Sequence, residues 1–81
     1  MTNQEKLIDL LADVFLLEPD EVHLDLRRDE LDTWDSLGTV SLAVAVEESF
    51  GYHMRPEEAV ALTGVTDLVR LLEARGVPVA A

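Results

Sequence analysis

Leu7, Ile8, Leu11, Val14 and Phe15 recur at the three- and four-residue spacing that puts side chains on one face of an α-helix. Thr2 and Glu5 stand three residues apart just before this run. That is the signature of a capping box, in which each side chain satisfies the other residue's free backbone N–H. A first helix is predicted over about 3–17, ending at Glu18-Pro19, because proline drives its predecessor out of the helical region. A second helix is predicted from about 36 to Phe50, started by Asp35 or Ser36 as a cap and stopped by Gly51. Arg55-Pro56-Glu57-Glu58 reads as the first turn of a short third helix: proline suits its first position and the acids face the positive end of its dipole. Thr63-Gly64-Val65-Thr66 opens a fourth, with an apolar face of Val65, Leu68, Val69 and Leu72 and a close at Gly76-Val77-Pro78. No segment alternates between hairpin turns, so no strand is predicted. The expected fold is all-α: a four-helix bundle of three longer helices plus a short third one, as one domain over residues 1–81.

Two stretches do not reduce to a single amphipathic face. The connection over 18–35 carries Glu18, Asp20, Glu21, Asp25, Asp29, Glu30, Asp32 and Asp35 against Arg27 and Arg28. Val22, Leu24, Leu26 and Leu31 are spaced through it, so it is expected to lie over the core. On the second helix, Thr39, Leu42, Ala43, Val46 and Phe50 share one broad side that should enter the core. Leu37, Ser41, Val44 and Glu48 form a separate stripe flanked by Val40 and Glu47. That stripe is either a docking surface or a face that the long connection covers.

Composition narrows the function. Seventeen Asp and Glu against six Lys and Arg give a net charge of −11, which repels phosphate backbones and anionic lipid and suits a basic protein partner. Nucleic acid and membrane are excluded as partners on this ground. The chain has no cysteine and only two histidines, which excludes a disulfide framework and a structural zinc site. His23 and His53 lie in separate segments without a neighbouring nucleophile, and the acidic connection lacks the spacing of a calcium loop, so neither a catalytic triad nor a metal site is predicted. A polar start and the absence of a long apolar run predict a cytoplasmic protein without a secretion signal.

The remaining candidate is Asp35-Ser36-Leu37. Alone, a serine at a helix start is a cap. In context, Trp34-Asp35-Ser36-Leu37-Gly38-Thr39-Val40-Ser41-Leu42 follows a capped helix and a long acidic connection. It precedes Val46-Glu47-Glu48-Ser49-Phe50-Gly51, a short acidic helix and a last amphipathic one. This order resembles the acyl carrier protein family along essentially the whole chain. The resemblance implies that Ser36 is the attachment point of 4′-phosphopantetheine transferred from coenzyme A, with Asp35 and Leu37 beside it. It implies a monomeric carrier that is not an enzyme and that works with a phosphopantetheinyl transferase. Its other partners would be an acyltransferase, ketosynthase or adenylating ligase with a basic docking surface.

A phosphodiester at a helix start agrees with the dipole, and its thiol would be the nucleophile that a cysteine-free chain lacks. Asp35 either presents the site to the transferase and its metal or caps the helix. Leu37, Val40 and Val44 would give apolar contacts to partners, and Glu47, Glu48, Glu57 and Glu58 charged ones. Trp34 either packs against the arm or a partner, or covers the loop over the core. The chain departs from the family's habit at Thr33, where glycine is frequent, at Gly38 and Ser41, where acids are frequent, and at Val44, where methionine is common. These departures leave the second helix less acidic than in many fatty-acid carriers. Trp34 before the motif with Gly38-Thr39-Val40 after it resembles stand-alone carriers of polyketide or other specialised metabolism, or an aminoacyl, D-alanyl or peptidyl carrier. The reading from another class is an acidic helical interaction module without a prosthetic group, in which Ser36 is only a cap.

Overall fold

The computed structural model describes residues 2–79. Its helices are α1 (Asn3–Phe15), α2 (Ser36–Phe50), α3 (Pro56–Ala61) and α4 (Val65–Ala74), with single 3₁₀ turns at Pro19–Glu21 and Arg28–Glu30 in the long connection. No strand occurs among the described residues; Arg27 and Gly64 form one isolated bridge. Around it, Arg28 N–H donates to the Thr63 carbonyl and Val65 N–H to the Leu26 carbonyl, each at 2.9 Å. This pins the middle of the connection to the start of α4.

Local chemistry explains most of these boundaries. The Thr2 hydroxyl accepts from Glu5 N–H and the Glu5 carboxylate from Thr2 N–H, both at 3.1 Å, so α1 starts with the predicted capping box. Gly51, at φ 72°, ends α2 with its N–H on the Glu47 carbonyl at 2.9 Å. Helix α1 stops two residues short of the predicted end. Leu16 adopts left-handed backbone (φ 59°, ψ 45°), and the N–H groups of Leu16 and Leu17 both close on the Ala12 carbonyl. A side chain costs on the order of 1–2 kcal/mol in that region, and Leu16 is 82% exposed, so little burial offsets the cost. Leu16→Gly is therefore expected to raise stability by about 1 kcal/mol, read as a higher urea midpoint with unchanged slope. An unchanged or lower midpoint would mean that the leucine makes a contact that repays its backbone.

The core is built where helical periodicity places it. Leu7, Leu11 and Phe15 of α1, Leu42 and Val46 of α2, and Val65, Leu68 and Leu72 of α4 are all essentially inaccessible. The connection does lie over this core, but through Val22, Leu26 and Trp34; Leu24 points outward and Leu31 is half-buried. Leu37, Val40 and Val44 are 78%, 62% and 53% exposed, so the connection does not cover that side of α2. No helix among the described residues is long and apolar enough to cross a membrane.

Candidate functional site

The start of α2 is held by Asp35. Its carboxylate accepts the Gly38 N–H at 2.9 Å, and its carbonyl accepts both the Thr39 N–H and the Thr39 hydroxyl at 2.9 Å. Asp35 is the N-cap, Ser36 the first helical residue, and Thr39 is buried on the core side. The Ser36 hydroxyl, exposed at the positive end of the helix, makes no hydrogen bond among the described residues. The two capping candidates are thereby separated: Asp35 does the capping and Ser36 is left unused.

Gly38 backs onto the connection. A Cβ there would lie 2.1 Å from the Thr33 carbonyl oxygen and 3.3 Å from the Phe15 ring. Thr33 is held in place by its hydroxyl, which donates to the Phe15 carbonyl at 3.0 Å, satisfying an acceptor at the end of α1. An acidic residue cannot occupy position 38 in this packing, which accounts for the departure at Gly38.

Trp34 is 3% exposed and stacks on Phe15 with ring centroids 4.7 Å apart and 21° between planes. The expectation that it contacts a partner or the arm is corrected: burial against Phe15 makes it a core residue roofing the end of α1. Its Nε1 is buried without a hydrogen-bond partner among the described residues.

Beside Ser36 runs a groove of about 420 Å³ between α2 and α3. Thr39, Val40, Ala43 and Val44 line one wall, Met54, Pro56, Ala59 and Val60 the other, and Arg28 and Ser36 complete it. Sequence reasoning missed this groove and Arg28. A lone arginine in an acidic connection reads as surface charge, and no spacing rule brings it to α3.

The proposed docking acids fare unequally. Glu48 and Glu57 are exposed and pair with no described group, while Glu47 contacts His53 Nδ1. Glu58 is corrected: its side chain is only 14% exposed and already occupied. It accepts from the Tyr52 hydroxyl at 2.5 Å, the Arg55 N–H at 3.0 Å and the Arg75 guanidinium at 3.0 Å, tying α3 to the segment before it and to the end of α4. The Tyr52 hydrogen bond, followed by the Arg55 N–H, holds its carboxyl down from 4.5 to about 2. A depressed folded-state pKa stabilises the fold fully above the ordinary value and loses that contribution as pH falls from 4.5 toward 2. Glu58→Gln is expected to lower the urea midpoint by a constant amount above about pH 5.5, the gap closing progressively below pH 4.5. A gap independent of pH down to about 2.5 would contradict this role of the ionised carboxylate.

A family model described as "Phosphopantetheine attachment site" matches residues 5–72, which take in the capped serine and both walls of the groove. The match defines a class, proteins that bear phosphopantetheine. Among curated proteins, the chain is 37% identical over 70 residues to an acyl carrier protein of Akkermansia muciniphila, covering 86% of this chain and 88% of that one. It is 33% identical over 70 residues to an acyl carrier protein of Rickettsia bellii, covering 86% of each. A third, from Campylobacter hominis, is 33% identical over 69 residues, covering 85% of this chain and 87% of the relative. The chain belongs to the acyl carrier protein family.

Members of this family are carriers and not catalysts, hold 4′-phosphopantetheine covalently, and interact with phosphopantetheinyl transferase and biosynthetic enzymes. An interaction module without a prosthetic group does not fit that membership. Nor does the structure use Ser36 as the cap which that reading requires.

Proposed function

We propose that Ser36 carries 4′-phosphopantetheine and that the chain, acting as one carrier domain in the cytoplasm, moves thioester-bound acyl intermediates between enzymes of polyketide or other specialised metabolism. The observation that carries this reading is the unused Ser36 hydroxyl, exposed beside a helix start that Asp35 already caps. The residues around it fit the group. The helix start favours an added negative charge, and an apolar groove begins at the same serine. When bound, the group supplies the thiol that the sequence lacks; the protein's part is to hold it at a rigid helix end and to give it an apolar surface alongside.

Docking follows from the exposed side of α2. Leu37, Val40 and Val44 offer apolar contact, and Glu47, Glu48 and Glu57 surround it with negative charge that suits a basic surface on a transferase, acyltransferase, ketosynthase or adenylating ligase. Such charges speed encounter more than they deepen affinity, which suits a carrier that must leave each enzyme after its turn. Helix α2 is uncharged from Ser36 to Val46, and this supports partners other than those of a carrier with acids at positions 38 and 41. Trp34 before the motif and the Gly38-Thr39-Val40 sequence after it also suit an aminoacyl, D-alanyl or peptidyl carrier. Intact mass of the protein isolated from its own cells decides between them. A bound polyketide or other functionalised acyl fragment is expected, an amino acid would favour the second reading, and a series of saturated straight chains would contradict both.

A further inference from the structure

Arg28 has an unusual environment for a cation in so acidic a chain. With seventeen carboxylates against six basic residues, an arginine should find an acid easily. Arg27 does, lying 3.8 Å from Asp29. Arg28 instead donates through Nε to the Trp34 carbonyl at 3.3 Å and through Nη1 to the Val60 carbonyl at 3.4 Å, and it pairs with no carboxylate among the described residues. Both partners are neutral, so the half-buried guanidinium keeps its full charge and the rest of its five donors.

Its location is informative. The Trp34 carbonyl lies two residues before Ser36, and Val60 belongs to the α3 wall, so Arg28 bridges the segment leading to Ser36 and the far side of the groove. Of the described residues lining that groove, Arg28 alone is charged. An apolar cargo has no use for a cation there, whereas a phosphodiester on Ser36 would place an anion at the same end.

We propose that Arg28 receives the phosphodiester of the Ser36-linked arm where the α2–α3 groove begins. This rests on the assignment of Ser36. A guanidinium matches two phosphate oxygens in a planar fork, and it is pre-positioned because two backbone carbonyls already hold it. Arg28 is thus a binding residue for the prosthetic group, separate from the partner-facing acids.

The test compares wild type, Arg28→Gln and Arg28→Lys, each in unmodified form and after loading with 4′-phosphopantetheine, confirmed by intact mass. The readouts are the change in thermal midpoint on loading and the ³¹P resonance of the phosphodiester. Each variant's own unmodified form is its reference, which removes any direct effect on folding. Wild type is expected to gain on the order of 3 °C on loading. Arg28→Gln should lose at least half of that gain, with a displaced ³¹P resonance, and Arg28→Lys, which keeps the charge but not the planar fork, should fall between the two. The wild-type gain should shrink in about 0.5 M salt. Equal gains and an unmoved resonance in Arg28→Gln would overturn the contact while leaving Ser36 assigned. Failure of wild type to load would overturn both.

Discussion

Gly38→Ala is expected to destabilise the protein by about 3 kcal/mol, at the upper end of the usual cost of overpacking, and to lower its thermal midpoint by roughly 10–20 °C. The sign is the reverse of the ordinary one, since alanine in a helix usually outperforms glycine by about 0.5–1 kcal/mol. Here the added methyl would sit 2.1 Å from the Thr33 carbonyl oxygen, a backbone atom that no rotamer change can move aside. Phe15 and the end of α1 stand behind it, and the Thr33 hydroxyl fixes the loop to the Phe15 carbonyl. Thr33→Gly releases that tether, so the double variant should recover part of the loss, a coupling that a double-mutant cycle measures. A midpoint equal to or above wild type for Gly38→Ala alone would refute the close approach of α2 to the connection. The N-cap itself lies in this contact, because Asp35 accepts the Gly38 N–H, so the same variant should blur the helix start that presents Ser36.

Trp34→Ala is the second large effect, with an expected loss of about 3–5 kcal/mol read from urea unfolding. The indole is 3% exposed and stacked on Phe15, and its removal opens a cavity beneath the loop that leads into α2. Trp34→Phe should behave differently. It keeps a stacked ring and deletes an Nε1 donor that is buried without a partner, so its cost is expected to stay within about 1 kcal/mol. Two variants with equal losses would show that the indole N–H is satisfied and matters. Near-neutral behaviour of Trp34→Ala would show that Trp34 is not part of the core.

The helices were legible because local chemistry and periodicity agree on them. Thr2 with Glu5 marks the start of α1, Asp35 the start of α2, and Gly51 its end, and each of these acts within a few residues of sequence. The serine was legible for the same reason, since its motif and the cap lie on consecutive positions. What escaped depends on contacts between segments distant in sequence. The early end of α1 turns on a leucine in left-handed backbone, which no propensity favours. The engagement of Glu58 requires Tyr52 and Arg75 to meet it, and the charge alone made it look like a docking acid. Trp34 reads either as a cover over the core or as a partner contact until Phe15 is known to lie under it. Arg28 becomes notable only when Val60, thirty-two residues further on, is placed across the groove.

The central claim, that Ser36 bears the prosthetic group, is tested most directly by intact mass after incubation with coenzyme A and a broad-specificity phosphopantetheinyl transferase. Wild type is predicted to gain the mass of a single phosphopantetheine, and Ser36→Ala, whose α2 start Asp35 still caps, to remain folded and gain nothing. No gain on wild type, or a gain that survives Ser36→Ala, would contradict the claim.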